Sequence, residues 1–153
     1  MKLAEALIER AELQKENIQL LTRINSNTMV QDGDSPAENP EELITKYEHN
    51  MARFLELVQK INKTNSTTPF GEKMNIADAI ALRDNLGARH RAYTNMYAAA
   101  TININRYSQN EIKFVRCIDP KALQKQIDKL AKEYREVDTK LQGLNWTTDL
   151  LQY

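Results

Sequence analysis

The chain of 153 residues carries 21 basic and 21 acidic side chains, so its formal net charge at pH 7 is zero. Nucleic-acid and anionic-membrane binding usually require a basic excess, so the composition gives no clear nucleic-acid signal. Charged residues make up 27% and hydrophobic residues 41%, which is typical of a folded, soluble protein. The length predicts a single domain over residues 1–153.

Cys117 is the only cysteine. It excludes an intrachain disulfide and a thiolate metal cluster within one chain, and it fits a reducing compartment. The first ten residues interleave charges where a signal peptide needs an unbroken apolar stretch, and no run of about eighteen apolar residues occurs. We therefore expect a cytoplasmic protein.

Glycine and proline are scarce, and their positions divide the chain into four periodic segments. We predict helices at about 3–26, 40–63, 75–105 and 119–143, with an acidic loop at 27–39. The predicted fold is mainly α: four long amphipathic helices in antiparallel hairpins or a bundle.

The first helix has an apolar stripe with the three-and-four spacing of one helix face. Its members are Leu3, Ala6, Leu7, Leu13, Leu20, Leu21 and Ile24. Arg10 and Asn17 fall on the same stripe and make it imperfect.

The second helix is expected to begin at Pro40, with Asn39 as its N-cap. Apolar residues then alternate steps of three and four without a gap, which predicts a heptad seam of the kind that pairs helices. The seam comprises Ile44, Tyr47, Met51, Phe54, Val58 and Ile61.

The third helix is expected to be capped by Asn75, and its predicted buried side includes two less apolar positions, Arg83 and His90. The apolar positions of that side are Ile76, Ile80, Leu86, Tyr93, Tyr97, Thr101 and Ile104.

The fourth helix has a cap at Asp119, a proline at Pro120 and a second heptad seam. The seam comprises Leu123, Ile127, Leu130, Tyr134, Val137, Leu141 and Leu144.

Two connections contain β-favouring residues, so short strands are predicted within 66–74 and 111–118, pairing as a small sheet. Cys117 lies in the second of these runs and is expected to act as a small buried hydrophobe.

Further apolar residues lie outside the seams, at Ile8, Ile18, Leu55 and Leu57. An apolar band wider than one partner helix covers predicts further burial, and symmetric self-association is the common solution. Whether the seams form intrachain core or contacts between subunits stays open at this point.

No motif for a metal, cofactor or catalytic residue is present. A di-iron bundle needs glutamate three residues before each histidine, but Lys46 precedes His49 and Gly87 precedes His90. The four glycines form no phosphate-binding loop.

One polar cluster has two interpretations. Its members are Asn62, Asn65, Arg83, Asp84, Arg106, Tyr107 and Lys113. They serve either as helix caps, with Arg83 paired to a carboxylate across the bundle, or as a site in which Arg106 and Lys113 hold a small anion. Trp146 is expected to pack the chain end against the helices.

Five segments are together similar to those of a family of small bacterial proteins labelled septicolysin. They are KLAEALIERA at 2–11, INKTN at 61–65, ADAIALRD at 77–84, RYSQNEIK at 106–113 and NWTTDL at 145–150. The resemblance implies a helical, self-associating bacterial protein, and the label implies action on membranes. It implies no catalytic or ligand residues.

These observations favour a non-enzymatic, cytoplasmic helical protein that self-assembles through its heptad seams as a scaffold or interaction module. One alternative is a membrane-active, cytolysin-like protein. The other is an enzyme or a binder of small anions that uses the polar cluster.

Overall fold

The computed structural model describes residues 1–102 and 113–152. Its elements in chain order are α1 (Leu3–Ser26), α2 (Pro40–Thr67), β1 (Pro69–Phe70), β2 (Met74–Asn75), α3 (Ile76–Ala100) and α4 (Pro120–Thr147). The predicted mainly α fold, with four helices and a small antiparallel sheet, is confirmed.

The chain divides into two compact units. The first comprises Met1–Ala77 and Gln142–Tyr153, and it holds α1, α2 and both strands. The second comprises Asp78–Leu141, and it holds most of α3 and α4.

In the first unit, α1 and α2 form an antiparallel hairpin whose buried residues recur with a seven-residue period. On α1 the buried positions are Leu3, Ala6, Asn17, Leu20 and Ile24, with Ala4 buried beside them. On α2 they are Leu43, Asn50, Leu57, Ile61 and Thr64. At the end of the hairpin next to the 27–39 connection, Tyr47 packs against the cluster of Leu20, Ile24 and Leu43.

Of the residues predicted for the seam of α2, Ile61 is buried, Tyr47, Phe54 and Val58 are half-buried, and Ile44 and Met51 are exposed. The line that faces α1 runs instead through Leu43, Asn50, Leu57 and Thr64. Asn50 and Thr64 are polar, so the sequence pattern did not predict this line as the buried one. It favoured the neighbouring line one residue later, where Ile44, Met51 and Val58 are apolar.

Two buried asparagines form a polar layer in the middle of the hairpin. The Asn17 Nδ2 donates to Met51 Sδ at 3.3 Å, and the Asn50 Nδ2 donates to Glu16 Oε2 at 3.1 Å. Asn17 Oδ1 is buried and has no hydrogen-bond partner within the described part of the chain. A polar residue at such a position costs stability but fixes the register of the helices.

The starts of α2 and α4 follow the predicted caps. The Glu41 N–H donates to Asn39 Oδ1 at 3.0 Å, and the Lys121 N–H donates to Asp119 Oδ1 at 2.9 Å. Asn75 directly precedes α3, and its side-chain amide donates to Ser66 O at 3.2 Å. Each cap satisfies a backbone group that the helix leaves without an internal partner.

The sheet is a hairpin formed by neighbouring strands, and only the first predicted strand region contributes to it. Phe70 pairs with Met74 across a turn in which Gly71 has a φ of +73°, a conformation that favours glycine. The expected strand at 111–118 is absent from its described part, residues 113–118, where Phe114 is 73% exposed. Cys117 is also exposed, contrary to its predicted buried role, because this segment lies on no sheet that would cover it.

In the second unit, α3 and α4 approach closely. Leu86 and Ala79 are buried on α3. The seam predicted for α4 follows the observed burial: Leu123, Leu130 and Leu141 are buried, and Ile127, Tyr134 and Val137 are half-buried. These positions are thus covered within a single chain. Ile104, predicted for the buried side of α3, lies outside the described residues.

Replacing Asn17→Leu should stabilise the protein by about 1 kcal/mol, because the substitution removes a buried amide oxygen that has no partner and adds apolar contact. Urea denaturation followed by circular dichroism measures the change. Asn25→Leu, at an exposed position of the same helix, is the control and should change stability by less than about 0.5 kcal/mol. A destabilised Asn17→Leu protein would contradict this account of the polar layer.

Candidate functional site: the two flanks of the helical hairpin

One side of the α1–α2 seam is lined by ion pairs, and we call it the paired flank: Glu9, Glu16, Lys46 and Arg53. Arg53 Nε lies 2.6 Å from Glu9 Oε1, and Lys46 Nζ lies 2.5 Å from Glu16 Oε1. Both acids recur at a seven-residue interval, as do both bases. This seven-residue repeat of acids on α1 and bases on α2 is visible in the sequence, and it is the signal from which the ion pairs could have been predicted.

These contacts change the titration of the carboxyl groups. The hydrogen bond from Arg53 lowers the pKa of the Glu9 carboxyl below its ordinary value. The hydrogen bond from Lys46 lowers the pKa of Glu16 in the same way. Arg53 also pairs with Glu56 of its own helix at 2.9 Å, so its guanidinium binds one carboxylate from each helix. The paired flank is therefore satisfied within the chain.

The opposite side of the seam is apolar and exposed, and we call it the open flank. Its residues are Ile18 (62% exposed), Leu21 (42%), Ile44 (45%), Met51 (37%) and Leu55 (57%). Helical periodicity places all five on the side of the seam away from the ion pairs. Contiguous exposed apolar surface on a soluble domain usually marks an interaction site.

A shallow groove of about 450 Å³ lies along α2 on this side. Met51, Leu55 and Val58 line it together with Phe54, Ala52 and Glu48. Its lining is hydrophobic apart from Glu48, so the groove mainly offers shape and apolar surface for packing.

The residues predicted for assembly thus separate into two groups. Ile44 and Met51 lie on the open flank and Phe54 and Val58 line the groove beside it, whereas Tyr47 and Ile61 pack in the intrachain seam. Of the extra apolar residues singled out in the sequence, Ile18 and Leu55 belong to the open flank and Leu57 is fully buried. Ile8 is exposed but lies about 80° away from Ile18 around the helix axis.

The first residues of the chain and those that follow α4 form a second organised region, the terminal clasp, in which residues 1–3 contact residues 148–151. The Leu3 N–H donates to Thr148 O at 2.9 Å, and the Leu150 N–H donates to Met1 O at 3.0 Å. Lys2 Nζ lies 2.7 Å from Asp149 Oδ1. These contacts hold Leu150 in a buried position.

Thr64 connects α2 to the clasp. It is fully buried, its hydroxyl donates to Lys60 O at 2.8 Å, and it accepts the Leu151 N–H at 3.0 Å. Three of the segments that carried the family resemblance, at 2–11, 61–65 and 145–150, therefore meet in one place. Their shared role here is to hold backbone segments together.

The described members of the predicted polar cluster belong to both units. Asn62 and Asn65 belong to the first unit, and Arg83, Asp84 and Lys113 belong to the second. Arg83 pairs with Asp138 at 3.2 Å and with its neighbour Asp84 at 3.3 Å, which is the ion pairing that the structural interpretation required. The remaining members, Arg106 and Tyr107, lie outside the described residues.

Trp146 does not pack the chain end against the helices, contrary to prediction, because it is 57% exposed. Leu150 takes the buried position instead, since the backbone of the clasp turns that side chain inward.

Two further properties concern the described residues as a whole. They contain no group of three or more His, Cys, Asp or Glu side chains placed to hold a metal ion. None of the helices in residues 1–102 and 113–152 has the combination of length and apolar character that crossing a lipid bilayer requires.

Comparison with known proteins gives a family and a structural relative. The model of a family described as "Family of unknown function (DUF6847)" matches residues 10–150. The crystal structure of "a functionally unknown conserved protein from Corynebacterium diphtheriae" is similar over 99% of both chains, with 42% sequence identity and a TM-score of 0.93. No curated protein matches the chain. Neither comparison carries the septicolysin label. What the two comparisons support is membership of a family of unknown function that has a bacterial structural relative.

Glu9→Gln should lower the free energy of unfolding at pH 7 by about 0.5–1 kcal/mol, since Arg53 loses one of its carboxylates. The folded-state pKa of Glu9 is lowered, so its contribution is present above the unfolded pKa of about 4.3 and is lost as the pH falls through the folded value. The deficit of Glu9→Gln should therefore shrink between pH 7 and about pH 3, as measured by urea denaturation. Glu12→Gln is the exposed control on the same helix. A deficit that is the same at both pH values would contradict the assignment.

Thr64→Val should cost about 1–2 kcal/mol, because it removes the acceptor of the Leu151 N–H while keeping the side-chain volume. Denaturation can be followed by the fluorescence of Trp146, the only tryptophan. Thr67→Val removes a hydroxyl that donates only to carbonyls of its own helix and should be nearly neutral. Equal losses in the two variants would show that the clasp contributes nothing.

Proposed function

Because the chain belongs to the family of unknown function (DUF6847), we propose its role from geometry: a non-enzymatic helical interaction module that associates with a second copy of itself through the open flank. The contrast between the flanks of one hairpin carries the proposal. The paired flank is closed by ion pairs, and the open flank exposes five large apolar side chains. The function of such a module is to bring chains together as a scaffold.

Two properties of the chain favour a second copy as the occupant. The two antiparallel helices each contribute apolar residues beside the same seam, so the surface is made of similar stripes running in opposite directions. A twofold axis can pack such a surface against itself. The net charge of the chain is zero, so two copies do not repel each other over long distances.

The open flank is also continuous with the established helix interface. Met51 belongs to it, and the Met51 sulfur accepts a hydrogen bond from Asn17 inside the seam. Packing a second hairpin on this side would extend the α1–α2 pair to a four-helix arrangement. The contact between chains would then use the same kind of helix–helix packing as the contact within each chain. The predicted assembly through Ile44 and Met51 is kept in this proposal, with Phe54 and Val58 in the adjoining groove, whereas Tyr47 and Ile61 pack in the intrachain core.

The cytoplasm is the proposed location, on the basis of the lone cysteine. Membrane action, which the septicolysin label implied, would place the same apolar surface against lipid. Self-association and lipid insertion compete for the open flank, so one set of variants can separate them.

In analytical ultracentrifugation, the unmodified protein should sediment at about twice the 17.7 kDa chain mass at micromolar concentration. Ile18→Glu should shift the equilibrium toward single chains by at least tenfold in the dissociation constant, because it places a charge in an apolar contact. Ile8→Glu is the matched control: it makes the same change on the same helix, away from the open flank, and should leave the mass unchanged.

A single-chain mass for the unmodified protein, or equal effects of both glutamate variants, would overturn the proposal. Leakage of dye from phosphatidylcholine–phosphatidylglycerol vesicles, abolished by Ile18→Glu and preserved by Ile8→Glu, would assign the open flank to lipid instead.

A further inference from the structure

A cleft between α3 and α4 in the second unit has a composition that differs from that of the open flank. It has a volume of about 290 Å³ and is lined by Gly87, His90, Arg91, Ala131, Tyr134 and Arg135. It lies one helical turn from the Arg83–Asp138 ion pair, since Gly87 follows Arg83 by four residues and Tyr134 precedes Asp138 by four. That pair ties the two helices together beside the cleft.

Gly87 keeps the cleft open. A Cβ atom at this position would lie 3.3 Å from Cε2 of the Tyr134 ring and 3.4 Å from Nη1 of Arg91. Any side chain would therefore occupy space that now separates the tyrosine ring from the guanidinium. A glycine inside a helix lowers helix stability by roughly 1 kcal/mol relative to alanine. At this position the loss of stability accompanies the open space of the cleft.

The charged groups of the cleft have one sign. Arg91 and Arg135 supply two guanidinium groups from different helices, His90 supplies an imidazole, and none of the lining residues is acidic. The salt bridges within the described residues involve neither of the two arginines, and Asp138, the carboxylate one turn away on α4, is engaged by Arg83. Positive groups that converge without a carboxylate match an anionic partner.

The geometry points to a phosphate group as that partner, and we propose that the cleft binds a small molecule through its phosphate. Guanidinium groups bind phosphate oxygens with paired hydrogen bonds, which an ammonium group cannot reproduce. The volume of about 290 Å³ lies just below the usual range for small-molecule sites, about 300–1,000 Å³, so a compact ligand fits and a large cofactor does not. Tyr134 and Ala131 supply an apolar wall for the rest of the molecule.

The test is titration of the full chain, at constant ionic strength, with inorganic phosphate and with phenyl phosphate, followed by isothermal calorimetry and by the Gly87 amide resonance. Both probes should bind saturably with the Gly87 resonance shifting, and phenyl phosphate should bind more tightly if Tyr134 contacts the organic part. Arg91→Gln and Arg135→Gln should each weaken binding by about tenfold, the loss typical of one charge-assisted contact.

Arg89→Gln is the matched control, because this exposed arginine lies on α3 but outside the cleft lining. It should retain the unmodified affinity. Absence of saturable binding, or equal weakening by Arg89→Gln and Arg91→Gln, would overturn the proposal. Circular dichroism of each variant checks that its fold is intact. The three arginines belong to the second unit and the open flank to the first, and phosphate binding is measured separately from chain mass, so the two proposals can fail separately.

Discussion

The seven-residue register between α1 and α2 is the constraint on which the rest of this structure depends. It places Glu9 and Glu16 opposite Arg53 and Lys46 on one side, and the same geometry leaves Ile18, Leu21, Ile44, Met51 and Leu55 exposed on the other. A slip of one residue would turn each apolar contact toward solvent and break the ion pairs. The two flanks therefore follow from a single packing choice.

Polar groups enforce that choice at some cost to stability. Asn17 and Asn50 are buried within the seam, and one amide oxygen of Asn17 has no partner in residues 1–102 and 113–152. An all-apolar seam would bind more strongly but would tolerate several registers. Thr64 lies at the open end of the hairpin. Its hydroxyl accepts a hydrogen bond from the backbone that follows α4, which links the helix register to the terminal clasp. The clasp explains why distant segments share one role without forming a chemical site.

The sequence predicted the number, type and approximate limits of the helices, because proline, glycine and cap residues act locally at Asn39, Pro40 and Asp119. It misplaced the seam of α2, since Asn50 and Thr64 are polar and a parallel apolar line passes through Ile44 and Met51. It also predicted that Trp146 packs the chain end against the helices, whereas Trp146 is exposed and Leu150 is buried. These errors depend on tertiary contacts that periodicity does not contain. The cleft beside Gly87 could not be predicted from the sequence for the same reason. Its basic groups lie on two helices, and only the packing of α3 against α4 brings them together.

The central claim is that the open flank is covered by a second copy of the chain. The most direct measurement is methyl NMR of the five methionines in the presence of a soluble paramagnetic agent, because Met29, Met51 and Met96 are all exposed in the single chain and report independently. The account predicts that, as protein concentration rises, Met51 becomes protected while Met29 and Met96 remain attenuated. A Met51 signal that stays attenuated to the same extent at every concentration would contradict it.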